Sequence, residues 1–242
     1  MRLSFTLVLY VLLAACSNQA APAGSAVPPR DERNAVLGEA GVDVPGSGKF
    51  VLVNIPSFEL IAFENGNPIL RSRVVVGRRA TPTPEMTTAI VAVKFNPSWT
   101  PTPEMMRREG ARFMPPGPRN PLGRVLFELD NDQLIFMHDT NDRSYFDKAS
   151  RAFSHGCIRV EKARELAAWV LGTARPEIDE AIAAGTTRRL PLAAAIPVRL
   201  AYRTRFPDAS GRLVDYPDVY GHGALAEAGG DHHDPEKCSG AL

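Results

Sequence analysis

The sequence predicts a mainly β fold with a few short helices, and three observations carry that prediction. Strand-like runs of apolar, β-branched and aromatic residues recur from Lys49 onward. Asn65-Gly66 stands between two of them as a two-residue hairpin turn, because both positions tolerate positive φ. Pro (21) and Gly (19) are numerous enough to punctuate the chain often, which does not suit a helical bundle. With 242 residues, 44% apolar and 23% charged, the chain can bury one sizeable core.

The elements follow in order. Met1-Arg2 gives a short positive start, and Leu3 to Leu13 is apolar apart from Ser4 and Thr6. That stretch is too short to span a bilayer and reads as a targeting segment over residues 1–15, with Ala14 and Ala15 as small residues at a cleavage site. Residues 16–47 are rich in Ala, Pro, Gly and Ser and are expected to be a flexible tether. A folded domain is expected over 48–205. Lys49 to Ile55, Phe58 to Phe63, Ile69 to Val76 and Thr87 to Phe95 read as strands. Asn96 to Pro121 carries seven prolines and reads as one long loop, of the kind that serves as a lid or binding loop. Val125 to Leu129 and Gln133 to Met137 are strands around an Asp130-Asn-Asp132 turn, which puts His138 at a strand end. Glu161 to Leu171 has strong helix formers, a Leu166/Trp169/Val170 stripe and Gly172 as a natural stop. Pro176 to Ala184 reads as a second short helix and Ile196 to Thr204 as a late strand. Residues 206–242 are expected to form a hairpin and a disordered tail.

The net charge is +1, from 28 basic and 27 acidic residues, with no basic stripe, so no nucleic-acid partner is expected. There are three cysteines: Cys16, Cys157 and Cys238. Export to an oxidising compartment would favour pairing. Cys238 lies in a polar tail, which argues against a bridge to Cys157 and makes an unpaired Cys157 a residue that needs a reason.

Cys157 sits in Ser154-His155-Gly156-Cys157, nineteen positions after His138. A thiolate is a strong nucleophile when a neighbour manages its proton, and histidine is the usual base. Successive backbone N–H groups around Gly156 could cradle an oxyanion. A helix start just after Cys157 would add positive potential. Two other readings stand beside this one. A cysteine is often a buried apolar residue. His138, His155 and Cys157 are also three possible zinc ligands, although neither C-x-x-C nor H-E-x-x-H spacing is present.

His138, a fifteen-residue spacer and then Ser154-His155-Gly156-Cys157-Ile158 resembles the signature of the bacterial L,D-transpeptidase catalytic domain family. Val53 to Leu60, Val75-Val-Gly77, Thr83-Pro84, Phe95 to Trp99, Pro116 to Arg124 and His138-Asp-Thr140 are similar to segments of its proteobacterial branch, so the likeness covers about residues 49–205. Leu13-Ala-Ala-Cys16 resembles a bacterial lipoprotein signal, which implies cleavage before Cys16 and lipidation of it. Ser17 rather than aspartate after it implies the outer membrane.

The resemblance implies a β-sandwich of mixed sheets with a short helix following the cysteine, and a cysteine acyltransferase that needs no cofactor and no metal. Cys157 would be the nucleophile and His138 the general base and acid, oriented by the backbone carbonyl of Asp139. N–H groups around His155, Gly156 and Cys157 would form the oxyanion hole. The substrate would be a peptidoglycan stem peptide, with D-alanine released and 3→3 crosslinks made. Hydrolysis, D-amino-acid exchange and attachment or release of an envelope protein share the same acyl-enzyme. A non-catalytic wall-binding lipoprotein is the reading from another class. Arg159 replaces the family's common Asn; it is expected to bind a stem carboxylate or, alternatively, to pair with Glu161. Ser154, Tyr145, Trp99 and Arg124 are further substrate-contact candidates. Thr100 to Phe113 stands where this branch carries a longer capping insertion. The implied location is the periplasmic face of the envelope.

Overall fold

A computed structural model of the protein describes residues 30–223. The expected signal segment, Cys16 and Cys238 lie outside these residues. The chain forms α1 (Arg30–Glu39), β1 (Lys49–Asn54), β2 (Glu59–Glu64), β3 (Asn67–Gly77), β4 (Met86–Phe95), α2 (Pro103–Glu109), β5 (Val125–Leu129) and β6 (Phe136–His138). After a 3-10 turn at Ser144–Asp147 come β7 (Ala152–Ser154), β8 (Ile158–Val160), α3 (Ala163–Leu171), α4 (Arg175–Ala183), β9 (Arg188–Ala201), β10 (Arg205–Pro207) and β11 (Leu213–Asp215). The fold is mainly β with mixed strand directions, as the sequence predicts.

Nine of the strands join into one continuous mixed sheet, and β10 and β11 pair separately as a hairpin. β1 pairs with β2 and, in parallel, with β9; the path then runs through β4, β5, β6, β8 and β3. β3 pairs back with β2, so eight strands close into a ring. β7 adds in parallel to the end of β3. The β2–β3 link is the Asn65-Gly66 turn, where φ is 51° and 75°.

The alternation of side chains along β1 separates two cores. Val51 and Val53 join the main cluster with Leu60, Val74, Phe127, Met137, Ile158 and the α3 residues Leu166 and Ala167. Phe50 and Leu52 point the other way, onto Ile61, Phe63, Phe206 and the α1 residue Leu37. Burial of each such side chain contributes roughly 1.5–3 kcal/mol.

Three expectations need correction. Residues 30–47 are not wholly a tether: α1 forms, and Leu37, Ala40 and Val42 are buried against the outer face of β1 and β2. The proline-rich loop contains α2, capped by the Thr102 hydroxyl, which accepts from the Met105 N–H, and ended by Gly110 at φ 64°. β9 begins at Arg188, well before Ile196. Pro191 is tolerated there because β1 covers only Val198–Ala201, so the far side of the first half of β9 meets no strand among the described residues.

Candidate active site

The site is built on the parallel pair β6–β8, in which Met137 faces Ile158 and His138 faces Arg159. Met137, Ile158 and Val160 are fully buried in the core. Alternation then puts His138 and Arg159 together on the opposite face, with Cys157 entering the same face at the start of β8. Strands lie ~4.8 Å apart and rise ~3.3 Å per residue, so the backbones of Cys157 and His138 are diagonal neighbours roughly 8 Å apart.

His138 is buried, and its Nδ1–H donates to the Asp139 carbonyl at 2.5 Å. That bond fixes the tautomer and leaves Nε2 as the basic nitrogen. Burial drives the imidazole pKa down to about 4, helped by the positive charge of Arg159 and opposed by the Asp139 and Leu122 carbonyls. Asp139 is itself held firmly. Its N–H donates to the Val125 carbonyl (2.8 Å), and its Oδ2 accepts from the Arg124 N–H (3.0 Å). Gly123, at φ 67°, lets the chain pass so close that a Cβ there would lie 2.6 Å from the Asp139 Cβ.

Cys157 is a half-buried free thiol whose Sγ–H points at the Leu134 carbonyl, 3.7 Å away. Burial pushes its pKa up; the Phe136 N–H and Arg159 oppose this by favouring the thiolate. Leu134 holds an unusual φ of 57° for a branched residue. The turn before Cys157 is closed by Ser154, whose Oγ accepts from the Gly156 N–H (3.1 Å) and donates to the Cys157 carbonyl (2.5 Å). Gly156 has φ 108°, a region that side-chain-bearing residues avoid.

Two expectations about this turn are overturned. α3 begins at Ala163, after β8, so no helix start lies beside the thiol. The Gly156 N–H is taken by Ser154, which removes it from any oxyanion hole.

The other candidates are placed unevenly. Arg159 lies over the Tyr145 ring at 5.0 Å, and Tyr145 packs at a tilt against Phe153, also at 5.0 Å. Glu161 pairs with Arg73 rather than Arg159, so the structural pairing weighed for Arg159 does not form. His155 turns its ring to Glu109 of α2 (2.7 Å), with Arg78 against the same nitrogen. The His138/His155/Cys157 set therefore does not converge as metal ligands. Trp99 is half-buried and pairs through its backbone with Met114, closing the base of the segment that carries α2; no described contact brings it to Cys157. Arg124 donates to the Asn96 Oδ1 (3.3 Å) and, with Asp139, Thr140 and Arg143, lines a cavity of roughly 400 Å3. Glu109, Leu134 and Phe136 were not legible as site residues, since none belongs to the signature and each arrives only through the fold.

A buried, neutral histidine held by a carbonyl and a thiol at the entry to the next strand are the groups that nucleophilic acyl transfer needs. Residues 48–192 match the L,D-transpeptidase catalytic domain family (YkuD), and the chain belongs to that family. It is similar to a Haemophilus influenzae protein described as "Putative L,D-transpeptidase", with 27% identity over 74% of this chain and 45% of the relative. It is also similar to the Escherichia coli K12 protein described as "Probable L,D-transpeptidase YbiS", with 31% identity over 46% of this chain and 37% of the relative. The chain thus spans less than half the length of these relatives. Among solved structures it is similar to an L,D-transpeptidase from Mycobacterium smegmatis, with a TM-score of 0.40 and 16% identity over 64% of this chain and 59% of that one. An L,D-transpeptidase from Stackebrandtia nassauensis gives a TM-score of 0.39 and 16% identity over 72% of this chain and 65% of that one.

Proposed function

We propose that the protein is a cysteine-dependent L,D-transpeptidase of the periplasm that acts on peptidoglycan stem peptides. The observation that carries this reading is the β6–β8 register, which brings His138 and Cys157 to one face with Nδ1 of His138 already engaged by Asp139. Cys157 Sγ attacks the meso-diaminopimelate carbonyl of a tetrapeptide stem while His138 Nε2 takes the thiol proton. The tetrahedral oxyanion is held by backbone N–H donors of the turn, Cys157 foremost. Its collapse breaks the bond to D-alanine, whose amine leaves with the proton from His138, and a thioester remains. The side-chain amine of a second stem then attacks, His138 removes its proton, and the thiolate leaves as the 3→3 crosslink forms.

Arg159, stacked on Tyr145 with no carboxylate at ion-pair distance among the described residues, is suited to grip a stem carboxylate. Arg124 at the neighbouring cavity is a second candidate for the same task. Lipidation of Cys16 would hold the enzyme at the outer membrane, facing the wall.

Incubation with disaccharide-tetrapeptide followed by mass spectrometry tests the reading. Crosslinked dimers that have lost D-alanine support it. Tripeptide alone points to hydrolysis of the same thioester, and exchange products or an adducted envelope protein identify those acceptors. Unchanged substrate with freshly reduced protein overturns the enzymatic reading and favours a wall-binding lipoprotein. Detergent partitioning of the wild type against Cys16→Ala tests the anchor; identical aqueous partitioning removes it.

A further inference from the structure

The Ser154–Cys157 turn is supported from below by a hydroxyl network that reaches a distant part of the chain. Thr83, only 2% exposed, donates from Oγ1 to the Gly156 carbonyl at 2.7 Å and accepts there from the Gly77 N–H at 2.9 Å. The Thr83 N–H donates to the Tyr220 hydroxyl (3.1 Å), which donates in turn to the Gly77 carbonyl (2.9 Å). The directions are fixed by the groups present. Two backbone N–H groups can only donate and two carbonyls can only accept, so each hydroxyl spends its single proton on a carbonyl.

Tyr220 is buried and is itself pinned. Its N–H donates to the Tyr202 hydroxyl (2.7 Å), the two rings stack at 5.3 Å, and the Tyr202 hydroxyl donates to Asp218 (2.5 Å). Asp218 also accepts from the N–H groups of Gly221 and Gly223. Tyr202, Asp218 and Tyr220 all lie beyond residues 48–192, the segment that matches the family.

The consequence follows from the geometry of one peptide unit. The Gly156–Cys157 peptide bond is trans, as are the others among the described residues, so the carbonyl of Gly156 and the N–H of Cys157 point in opposite directions. Thr83 draws that carbonyl into the interior, and the Cys157 N–H is thereby turned outward. The Gly156 N–H is already occupied by Ser154, which leaves the Cys157 N–H as the donor whose direction matters.

We propose that Thr83 and Tyr220 are positioning residues for acyl transfer, which hold the Gly156 carbonyl inward and so aim the Cys157 N–H at the oxyanion. The inference rests on the acyl-transfer reading given above. It assigns the terminal strap from Tyr202 to Gly221 a part in catalysis rather than in stability alone.

Two reactions of the same thiol test it in the full chain. Opening of a carbapenem ring by Cys157 passes through a tetrahedral oxyanion, whereas alkylation by iodoacetamide does not. Thr83→Val and Tyr220→Phe are expected to slow carbapenem acylation at saturation by about 10- to 100-fold, the scale of a weakened oxyanion donor. Their alkylation rates should remain at the wild-type value, and Thr83→Ser, which keeps the hydroxyl, should restore acylation. Equal acylation by wild type and both variants overturns the proposal. A parallel fall in acylation and alkylation also overturns it, because a general loosening of the turn would account for both. A wild-type protein that is alkylated at Cys157 but neither acylated nor active on tetrapeptide sinks the acyl-transfer reading instead, which keeps the two failures distinct.

Discussion

His138 and Asp139 are adjacent in sequence, yet the imidazole of the first turns back to donate from Nδ1 to the carbonyl of the second at 2.5 Å. The usual carboxylate partner of a catalytic histidine is replaced by a main-chain oxygen. The Asp139 side chain is directed elsewhere, to the Arg124 N–H. The histidine is thereby oriented without a full negative charge beside it, and burial holds it neutral with a pKa of about 4.

A neutral base beside a protonated thiol predicts how the rate depends on pH. The acid limb of kcat/KM should fall near pH 4, not near 6.5, because only protonation of His138 removes the base. Alkylation of Cys157 should still be rising at pH 9, since burial raises the thiol above its ordinary value. An acid limb near 6.5 together with a thiolate already formed at pH 6 would mean a preformed ion pair and contradict this arrangement.

Stability should follow the same histidine. Its folded pKa lies below the ordinary 6.5, so the unfolded chain binds more protons between the two values. The contribution is neutral above pH 6.5 and becomes a growing penalty as pH falls toward 4, on the order of 3 kcal/mol at full extent. Thermal unfolding from pH 7 to pH 4.5 should show the drop, and His138→Gln should flatten it. Parallel curves for the two proteins would assign the acid sensitivity to other groups.

Gly123→Ala should damage the base while leaving the thiol in place. A Cβ at this position would lie 2.5 Å from the Thr140 backbone nitrogen, and φ is 67°. The expected cost is about 2–4 kcal/mol, with loss of acyl transfer in the fraction that still folds. Wild-type activity in folded Gly123→Ala would show that the close approach to Asp139 is dispensable.

Leu37→Ala separates stability from catalysis. Leu37 is 4% exposed in the second core, remote from Cys157, so the substitution should cost about 2–4 kcal/mol and leave kcat/KM unchanged. Chemical denaturation measures this directly; an unchanged midpoint would restore residues 30–47 to the status of a tether.

Release of α2 should be visible as proteolysis. The helix buries no residue, and its last residue, Glu109, is joined to His155 and Arg78. Glu109→Gln should speed trypsin cleavage at Arg107, Arg108 and Arg112 without moving the thermal midpoint, since exposed pairs contribute little to global stability. Cleavage at the wild-type rate would show that Trp99 and Met114 alone hold the segment.

The parts of this protein that were legible in its sequence are those whose chemistry is local. Asn65-Gly66 demands positive φ wherever it occurs, and the strands around it carry their own apolar pattern. His138 and Cys157 are legible because their residue types and spacing form a signature. What was missed depends on burial against distant partners. Leu37 follows Ala35 and Val36 in a largely polar helix, and it is the second core, with Phe50, Phe63 and Phe206, that gives it a place to bury. α2 carries its cap in Thr102-Pro103 and its stop in Gly110, but seven prolines in the surrounding stretch obscured them. Nearness in sequence suggests an Arg159–Glu161 pair, but Arg73, eighty-eight positions away from Glu161, takes the carboxylate.

The closed ring of eight strands also bears on how the molecule avoids its own copies. A strand edge offers unpaired N–H and C=O groups on which another chain can grow, and closure abolishes such edges around most of this sheet. The longest edge left open among the described residues is the first half of β9, which carries Arg188, Arg189 and Pro191. Two positive charges and a residue without an N–H guard that seam against edge-to-edge aggregation. The irregularity that disguised this strand in the sequence is the same feature that keeps it from recruiting a neighbour.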